Sequence, residues 1–321
     1  MGENIKTTHS ILGRFLNPTR DRKLEILHDH LLVKDKNDGT ILYFGRVVAA
    51  GKVNMDQNGI PSYIETTEAS LRDTETFISR LATKLESIPA PFNHLVEACI
   101  TPRFVPTCTP KLLKELGELA EKHQLRIQSH MSESGGQVEW SKSLSDGIED
   151  NTSLLSERQT SISHCPLSNL YFSPEKSFPL RSALTNSVKV GLGSDISGGY
   201  DPSLESSMRT AVAVARLRAH SKEGLDQKEK DIEWEEALWI ATRGGAQALG
   251  LQSGVFEKGR PFDAQLIELG SPGSRVEWFD GFGEEGSAEA KTPFETKLEK
   301  WFHLGSEVDR KAVWVQGRSV L

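Results

Sequence analysis

Hydrophobic residues recur along this chain with two different periods. In LRIQSH, residues 125–130, apolar and polar positions alternate as in a short strand. In TTEASLRDTETFISRLATKLES the large apolar residues instead fall at the spacing of one helical face, at Leu71, Phe77, Ile78 and Leu81. Segments of the two kinds follow one another through residues 51–254. Strand followed by helix, repeated, predicts an α/β fold with parallel strands.

The segment TPKLLKELGELAEKHQ carries the clearest helix signals. Thr109 is the expected N-cap, and Pro110 occupies the first helical position, where its missing N–H costs nothing. The predicted buried stripe of this helix is Leu112, Leu113, Leu116, Leu119 and Ala120.

Strand-like segments lie near residues 51–55, 94–100, 125–130, 160–164 and 188–193. These are about five strands, where a complete (β/α)8 barrel has eight. If residues 51–254 form such a barrel, it is incomplete.

The two ends of the chain predict a second, smaller β-domain. LEILHDHLLV and TILYFGRVV are separated by the turn-like KDKNDG, which predicts a hairpin. FDAQLIEL and KAVWVQGRSVL near the other end are strand-like again. We expect residues 1–50 and 255–321 to form one composite β-domain, in which the late strands pair with the hairpin.

Composition excludes several classes of function. A net charge of -7 and a pI near 5.8 argue against a nucleic-acid or anionic-membrane surface. No apolar run approaches the roughly 20 residues that span a bilayer, and the opening MGENIKTTHS is polar, so we expect no leader. The 3 cysteines show no C-x-x-C spacing, which argues against a disulfide framework or a cysteine zinc site. A cytosolic protein is expected.

Polar residues fall where the predicted strands end. Arg103 and Phe104 follow one strand, and His130, His164 and Asp195 end three others. In a (β/α)8 barrel the active site is built at the carboxyl ends of the strands, so these residues are expected to converge. Imidazole and carboxylate side chains are ligands that suit zinc.

Each of these residues also has a structural interpretation when taken alone. A strand-end histidine is more often a hydrogen-bonding group than a ligand, and Asp195 suits the turn that SDISGG predicts. Arg103 suits a surface ion pair, and Glu133 suits the start of a helix. The joint pattern favours a site, because the structural interpretation must explain each residue separately.

Four motifs together, TPRF, QSHMSES, SHCPLSN and VGLGSDISGGYDPS, resemble the guanine deaminase family of zinc amidohydrolases. The resemblance implies hydrolysis of guanine to xanthine and ammonia, zinc as the cofactor, and a homodimer. Zinc would lower the pKa of a bound water, and a carboxylate would carry protons so that ammonia leaves. The resemblance implies that His130 and Asp195 are zinc ligands, that Asp195 also takes a proton from the water, and that Glu133 is the acid/base. It implies that Arg103 binds the polar edge of guanine and that Phe104 packs on its ring. His164 would lie near the site without an assigned role.

Two internal segments of the family's pattern have no counterpart here. One carries an H-x-H pair of ligands after the first barrel strand, and the other a further histidine ligand. The HDH at His28 and His30 lies in a segment that matches the small β-domain, so we do not expect it to bind metal. Two alternatives therefore stay open: a catalytically silent form that binds purine or pairs with a full-length enzyme, and an amidohydrolase acting on another aminated heterocycle. TPRF and SDISGG favour guanine.

Overall fold

A computed structural model describes residues 8–18, 24–35, 48–88, 96–144, 152–174, 177–196, 198–226, 229–277 and 293–321. Its contacts divide the chain into two compact units, which we describe separately. The first unit consists of Phe44–Asn151 and Phe172–Lys176. The second unit consists of Met1–Tyr43, Thr152–Tyr171 and Ser177–Leu321. The unit boundary near residue 151 falls inside the predicted barrel zone, and the expected division at residues 50 and 255 stays a prediction.

The described strands are β1 (Thr8–Pro18), β2 (Leu24–Asp35), β3 (Val48–Ala50), β4 (Val53–Asn54), β5 (Val96–Pro102), β6 (Arg126–Ile127), β7 (Ser161–His164), β8 (Lys189–Leu192), β9 (Ala264–Ile267), β10 (Arg310–Val315) and β11 (Arg318–Ser319).

The described α-helices are α1 (Thr67–Glu86), α2 (Pro110–His123), α3 (Gly135–Leu144), α4 (Thr152–Glu157), α5 (Pro166–Phe172), α6 (Leu180–Thr185), α7 (Leu204–Ala219), α8 (Lys222–Asp226), α9 (Trp234–Trp239), α10 (Gly245–Ala248) and α11 (Pro293–Leu304). A π-helical turn, Ile240–Gly244, joins α9 to α10. None of the described helices is both long and apolar enough to cross a bilayer.

The first unit is built on a parallel sheet with β5 at its centre. β3 and β4 pair with successive parts of one side of β5, and β6 pairs with the other side. The strands predicted near residues 51–55, 94–100 and 125–130 are therefore confirmed, as is their parallel orientation.

Helix α2 forms as its sequence predicts. The Thr109 side chain accepts a hydrogen bond from the Leu112 backbone N–H, and Pro110 occupies the first turn. The stripe packs on β5 in a core of Ile100, Cys108, Leu112, Leu116, Leu119 and Ala120, with Leu113 partly buried against it.

Helix α1 confirms the predicted span, but its most buried residues are polar. Ser70 and Thr74 are fully buried, whereas the predicted apolar stripe is only half-buried. The reason lies on the strand beneath: Asn54 on β4 is buried and donates hydrogen bonds to the Ser70 and Thr74 hydroxyls at 2.9 and 2.7 Å. A buried amide requires such partners, so the helix turns a polar face towards the strand.

The second unit contains the parallel pair β7 and β8, which confirms the strands predicted near residues 160–164 and 188–193. Helices α6, α7 and α9 pack with Val190 of β8 in its core. The RGGAQ segment lies directly against β8, because a Cβ on Gly191 would come within 2.9 Å of the Gly245 Cα. Glycine at both positions permits this close approach.

The strands from the chain ends differ from the expected single sheet. β1 and β2 form one antiparallel pair, and β9, β10 and β11 form a separate antiparallel sheet. The segment LEILHDHLLV is a strand, as predicted, but it pairs with Thr8–Pro18, whose strand pattern we did not identify. Its predicted partner, TILYFGRVV, lies almost wholly outside the described residues.

We expect Leu116→Ala to lower the free energy of unfolding by about 2–5 kcal/mol, because it leaves a cavity in the core of the first unit. Leu113→Ala, on the same helix but half-buried, should cost clearly less. Urea unfolding followed by far-UV circular dichroism measures both. Equal losses would contradict the assignment of Leu116 to the core.

Candidate active site

Arg103 follows the last residue of β5, and its backbone joins the two neighbouring strand ends. Its N–H donates to the Asn54 carbonyl at 3.1 Å, and its own carbonyl accepts from the His130 N–H at 3.0 Å. The guanidinium is exposed and contacts the Met55 sulfur at 3.5 Å. It makes no ion pair with a carboxylate among the described residues. Its N–H groups other than the one that donates to Met55 can therefore donate to a ligand.

Phe104 presents its ring beside that guanidinium. Arg103 Cζ lies 5.5 Å from the centroid of the half-buried ring, within cation–π range. On another side, the ring meets Trp140 of α3 in an edge-to-face arrangement, with centroids 5.8 Å apart and planes at 74°. No local sequence pattern indicates this contact, because the two residues are distant along the chain.

The loop after Phe104 is fastened by polar side chains to which we assigned no role. Asp56 accepts from the Thr109 backbone N–H and hydroxyl, each at 2.7 Å, and from the Thr67 hydroxyl at 2.6 Å. Asn58 donates to the Pro106 carbonyl at 2.8 Å. Asp56 thus ties the starts of α1 and α2 to the end of β4.

His130 is exposed just beyond β6, with its ring orientation fixed. Nδ1 lies 3.0 Å from the Arg103 carbonyl, so Nδ1 carries the proton and Nε2 keeps its lone pair. Metal-binding histidines typically donate their second ring nitrogen in this way. The arrangement therefore suits His130 as a ligand.

Glu133 lies in the loop between β6 and α3, as predicted. Its backbone N–H donates to the Gln137 side-chain carbonyl at 2.6 Å, and its carboxylate is half-buried. The Ser134 hydroxyl accepts from the Gln137 N–H at 3.1 Å and caps the helix. Gln137 and Ser134 together fix the backbone that carries the Glu133 carboxylate.

Asp195 lies in the predicted glycine-rich turn after β8. Its φ of 50° is left-handed, and its carbonyl accepts from the Gly199 N–H at 2.6 Å. A Cβ on Gly198 would come within 2.6 Å of the Asp195 carboxylate, and one on Gly199 within 2.0 Å of the Ser194 carbonyl. The two glycines of SDISGG are thus required for the turn that holds this half-buried carboxylate.

His164 ends β7 in the core of the second unit. Its ring is buried and lies 4.8 Å from the Phe178 ring. Burial lowers the pKa of His164 from 6.5 to about 4, because the apolar surroundings disfavour the charged imidazolium. It is therefore a neutral residue at physiological pH.

The predicted site residues fall into two groups, one in each unit. The first unit brings together Arg103, Phe104, His130 and Glu133, and the second unit carries His164 and Asp195. No three His, Cys, Asp or Glu side chains within the described part of the chain lie close enough together to hold one metal ion. His130 and Asp195 are each suitable zinc ligands, but two are fewer than the three protein ligands of a catalytic zinc site. The described residues therefore do not make a complete zinc site.

The sequence of this chain is similar to a known protein family and to a curated relative. A model of the "Amidohydrolase family" matches residues 26–157 and 148–320. The chain is 35% identical over 307 residues to the guanine deaminase of Rattus norvegicus; the match covers 87% of this chain and 64% of the relative. The chain thus spans less than two thirds of the length of this curated relative.

Two solved structures resemble this one. A guanine deaminase from C. acetobutylicum with bound guanine has a TM-score of 0.68 at 27% identity, covering 86% of this chain and 65% of that one. An adenosine deaminase from Xanthomonas campestris with bound zinc has a TM-score of 0.63 at 20% identity, covering 87% and 61%. The second likeness concerns the fold alone.

The lowered pKa of His164 predicts a specific loss of stability in acid. The unfolded chain binds a proton near pH 6.5, whereas the folded chain does so only near pH 4. The contribution of His164 is therefore complete above pH 6.5 and falls by up to about 3 kcal/mol as the pH drops towards 4. Unfolding in urea at several pH values measures it.

His164→Gln should remove this part of the pH dependence, and His123→Gln, which changes an exposed histidine, should preserve it. A variant His164→Gln with the same pH profile as the unmodified chain would show that the buried ring does not resist protonation.

Proposed function

Because the chain belongs to the amidohydrolase family, we propose that the protein hydrolyses guanine to xanthine and ammonia. The observation that carries this proposal is the pair formed by Arg103 and Phe104 at the carboxyl end of β5. An exposed guanidinium without a described carboxylate partner lies against an aromatic ring, and the backbone carbonyl of the same arginine accepts a hydrogen bond from the His130 ring. The likeness to guanine deaminases supports guanine over other aminated heterocycles as the substrate.

Guanine offers a polar edge and a flat ring surface, which suit Arg103 and Phe104 respectively. Guanine presents O6 and N7 as acceptors on one edge, and a guanidinium can donate to both at once. The Phe104 ring offers an apolar surface to the planar purine, and such base–aromatic contacts contribute about 1–3 kcal/mol. Adenine carries an amino donor where guanine carries O6, so Arg103 favours guanine over adenine.

Glu133 is the group we assign to proton transfer. Hydrolysis forms a bond from water oxygen to the ring carbon that carries the exocyclic amine, and breaks the bond from that carbon to nitrogen. The ring gains a proton as water adds, and the amine gains one as it leaves as ammonia. A carboxylate held in place by its own backbone hydrogen bond can carry these protons.

We propose His130 and Asp195, each taken by itself, as residues suited to bind zinc. The proton on Nδ1 of His130 and the glycine-supported carboxylate of Asp195 support this assignment. When bound, zinc supplies a water of lowered pKa. The described residues provide two ligands, so the proposal requires at least one more from outside them. Four further points stay predictions. They are a homodimer, a cytosolic location, an incomplete (β/α)8 barrel with a composite β-domain, and the proximity of His164 to the site.

Arg103→Ala should weaken guanine binding about 10-fold to 100-fold, because it removes charged hydrogen-bond donors. Arg103→Lys should recover only part of the loss, since an ammonium cannot donate to two acceptors in the same fork. Isothermal titration with guanine measures these affinities. Arg80→Ala, an exposed arginine of the same unit, is the matched control, and an Arg103→Ala variant as tight as the control would disprove the assignment.

Glu133→Gln should lower xanthine formation about 10²–10⁴-fold with guanine affinity nearly unchanged, because the amide cannot transfer the proton. Glu139→Gln, an exposed carboxylate on α3, should behave as the unmodified protein. Xanthine and ammonia are measured on the zinc-supplemented full protein. A protein that binds guanine and zinc but forms no xanthine would overturn the hydrolase proposal.

A further inference from the structure

Helix α3 contacts both of the functional residues that flank it in the first unit. Gln137 accepts a hydrogen bond from the Glu133 backbone, and Trp140 meets the Phe104 ring. Gln137 and Trp140 are three residues apart, so they lie on the same face of the helix. One face of α3 therefore contacts both Glu133, the proposed proton carrier, and Phe104, the ring proposed to pack on the purine.

The contact between Trp140 and Phe104 is not ordinary core packing. Helix α3 has no buried residue, and Trp140 itself is 38% exposed. The start of the helix is held by polar contacts, from Ser134 to the Gln137 N–H and from the Gly135 N–H to Ser173. The ring contact is thus an apolar link between α3 and the loop that follows β5.

Phe104 needs such a restraint because of where it lies. It stands in extended backbone, with φ of −170°, immediately before the 3₁₀ turn Val105–Thr107. Its neighbour Arg103 is exposed and has a long, flexible side chain. An edge-to-face partner restricts rotation of the ring, and aromatic pairs of this kind contribute beyond the area that they bury.

We propose that Trp140 is a positioning residue for the purine: it holds the Phe104 ring in the orientation in which guanine packs against it. The proposal rests on the proposed function, because it concerns the same site. Trp140 acts through Phe104. Its loss therefore reduces guanine affinity and leaves the proton-transfer step, carried by Glu133, largely intact.

The test compares guanine binding and turnover in single and double variants of the full protein. Trp140→Ala should raise the Kd and KM for guanine about threefold to tenfold, with kcat changed less than about twofold. Trp140→Phe, which keeps an aromatic edge, should restore binding to within about twofold. Leu144→Ala, an exposed apolar residue on the same helix, is the matched control.

A double-mutant cycle separates positioning from a merely structural effect. Adding Trp140→Ala to Phe104→Leu should cause no further loss of affinity, because the ring that Trp140 holds is already absent. Fully additive losses, or a Trp140→Ala variant with the affinity of the unmodified protein, would overturn the inference. If Trp140→Ala does not fold by circular dichroism, Trp140→Leu replaces it in the same cycle.

The outcomes also distinguish this inference from the function on which it rests. An unmodified protein that binds no guanine overturns both. An unmodified protein that binds and hydrolyses guanine, with Trp140→Ala indistinguishable from it, overturns only the role of Trp140.

Discussion

The first unit depends on the backbone of a single residue at the end of its central strand. Arg103 donates to Asn54 on one side and accepts from both the backbone and the ring of His130 on the other. These hydrogen bonds continue the parallel ladder past the last paired residues and bring three strand ends together. Two of these hydrogen bonds join backbone groups, so the backbone positions of Arg103 and His130 do not depend on their side-chain conformations.

The backbone and the side chains at the end of β5 have different roles. In the proposed function the Arg103 guanidinium and the Phe104 ring meet a planar, polar ligand, while the backbone of Arg103 joins the strand ends. The His130 ring donates from Nδ1 to the Arg103 carbonyl, so Nε2 is the ring nitrogen left for the proposed zinc. Asp56 accepts hydrogen bonds from Thr109 and Thr67 and so holds the loop that follows Arg103 and Phe104.

Buried polar groups account for two features that the hydrophobic pattern does not predict. Helix α1 buries Ser70 and Thr74, because the buried Asn54 amide donates hydrogen bonds to their hydroxyls, and its apolar stripe is only half-buried. His164 resembles the other strand-end residues in sequence, yet its ring lies in the core beside Phe178 and stays neutral. Periodicity does not reveal either outcome, because it counts apolar positions and not the partners of polar ones.

The sequence by itself determined the parallel α/β class, the places of the five barrel-like strands, the cap of α2 at Thr109 and the turn around Asp195. These depend on interactions between residues a few positions apart, which a local pattern records. Tertiary structure alone decided that Trp140 meets Phe104 and that the Arg103 carbonyl accepts a hydrogen bond from the His130 ring. Such contacts join residues that are distant along the chain, and only the packing of whole elements brings them together.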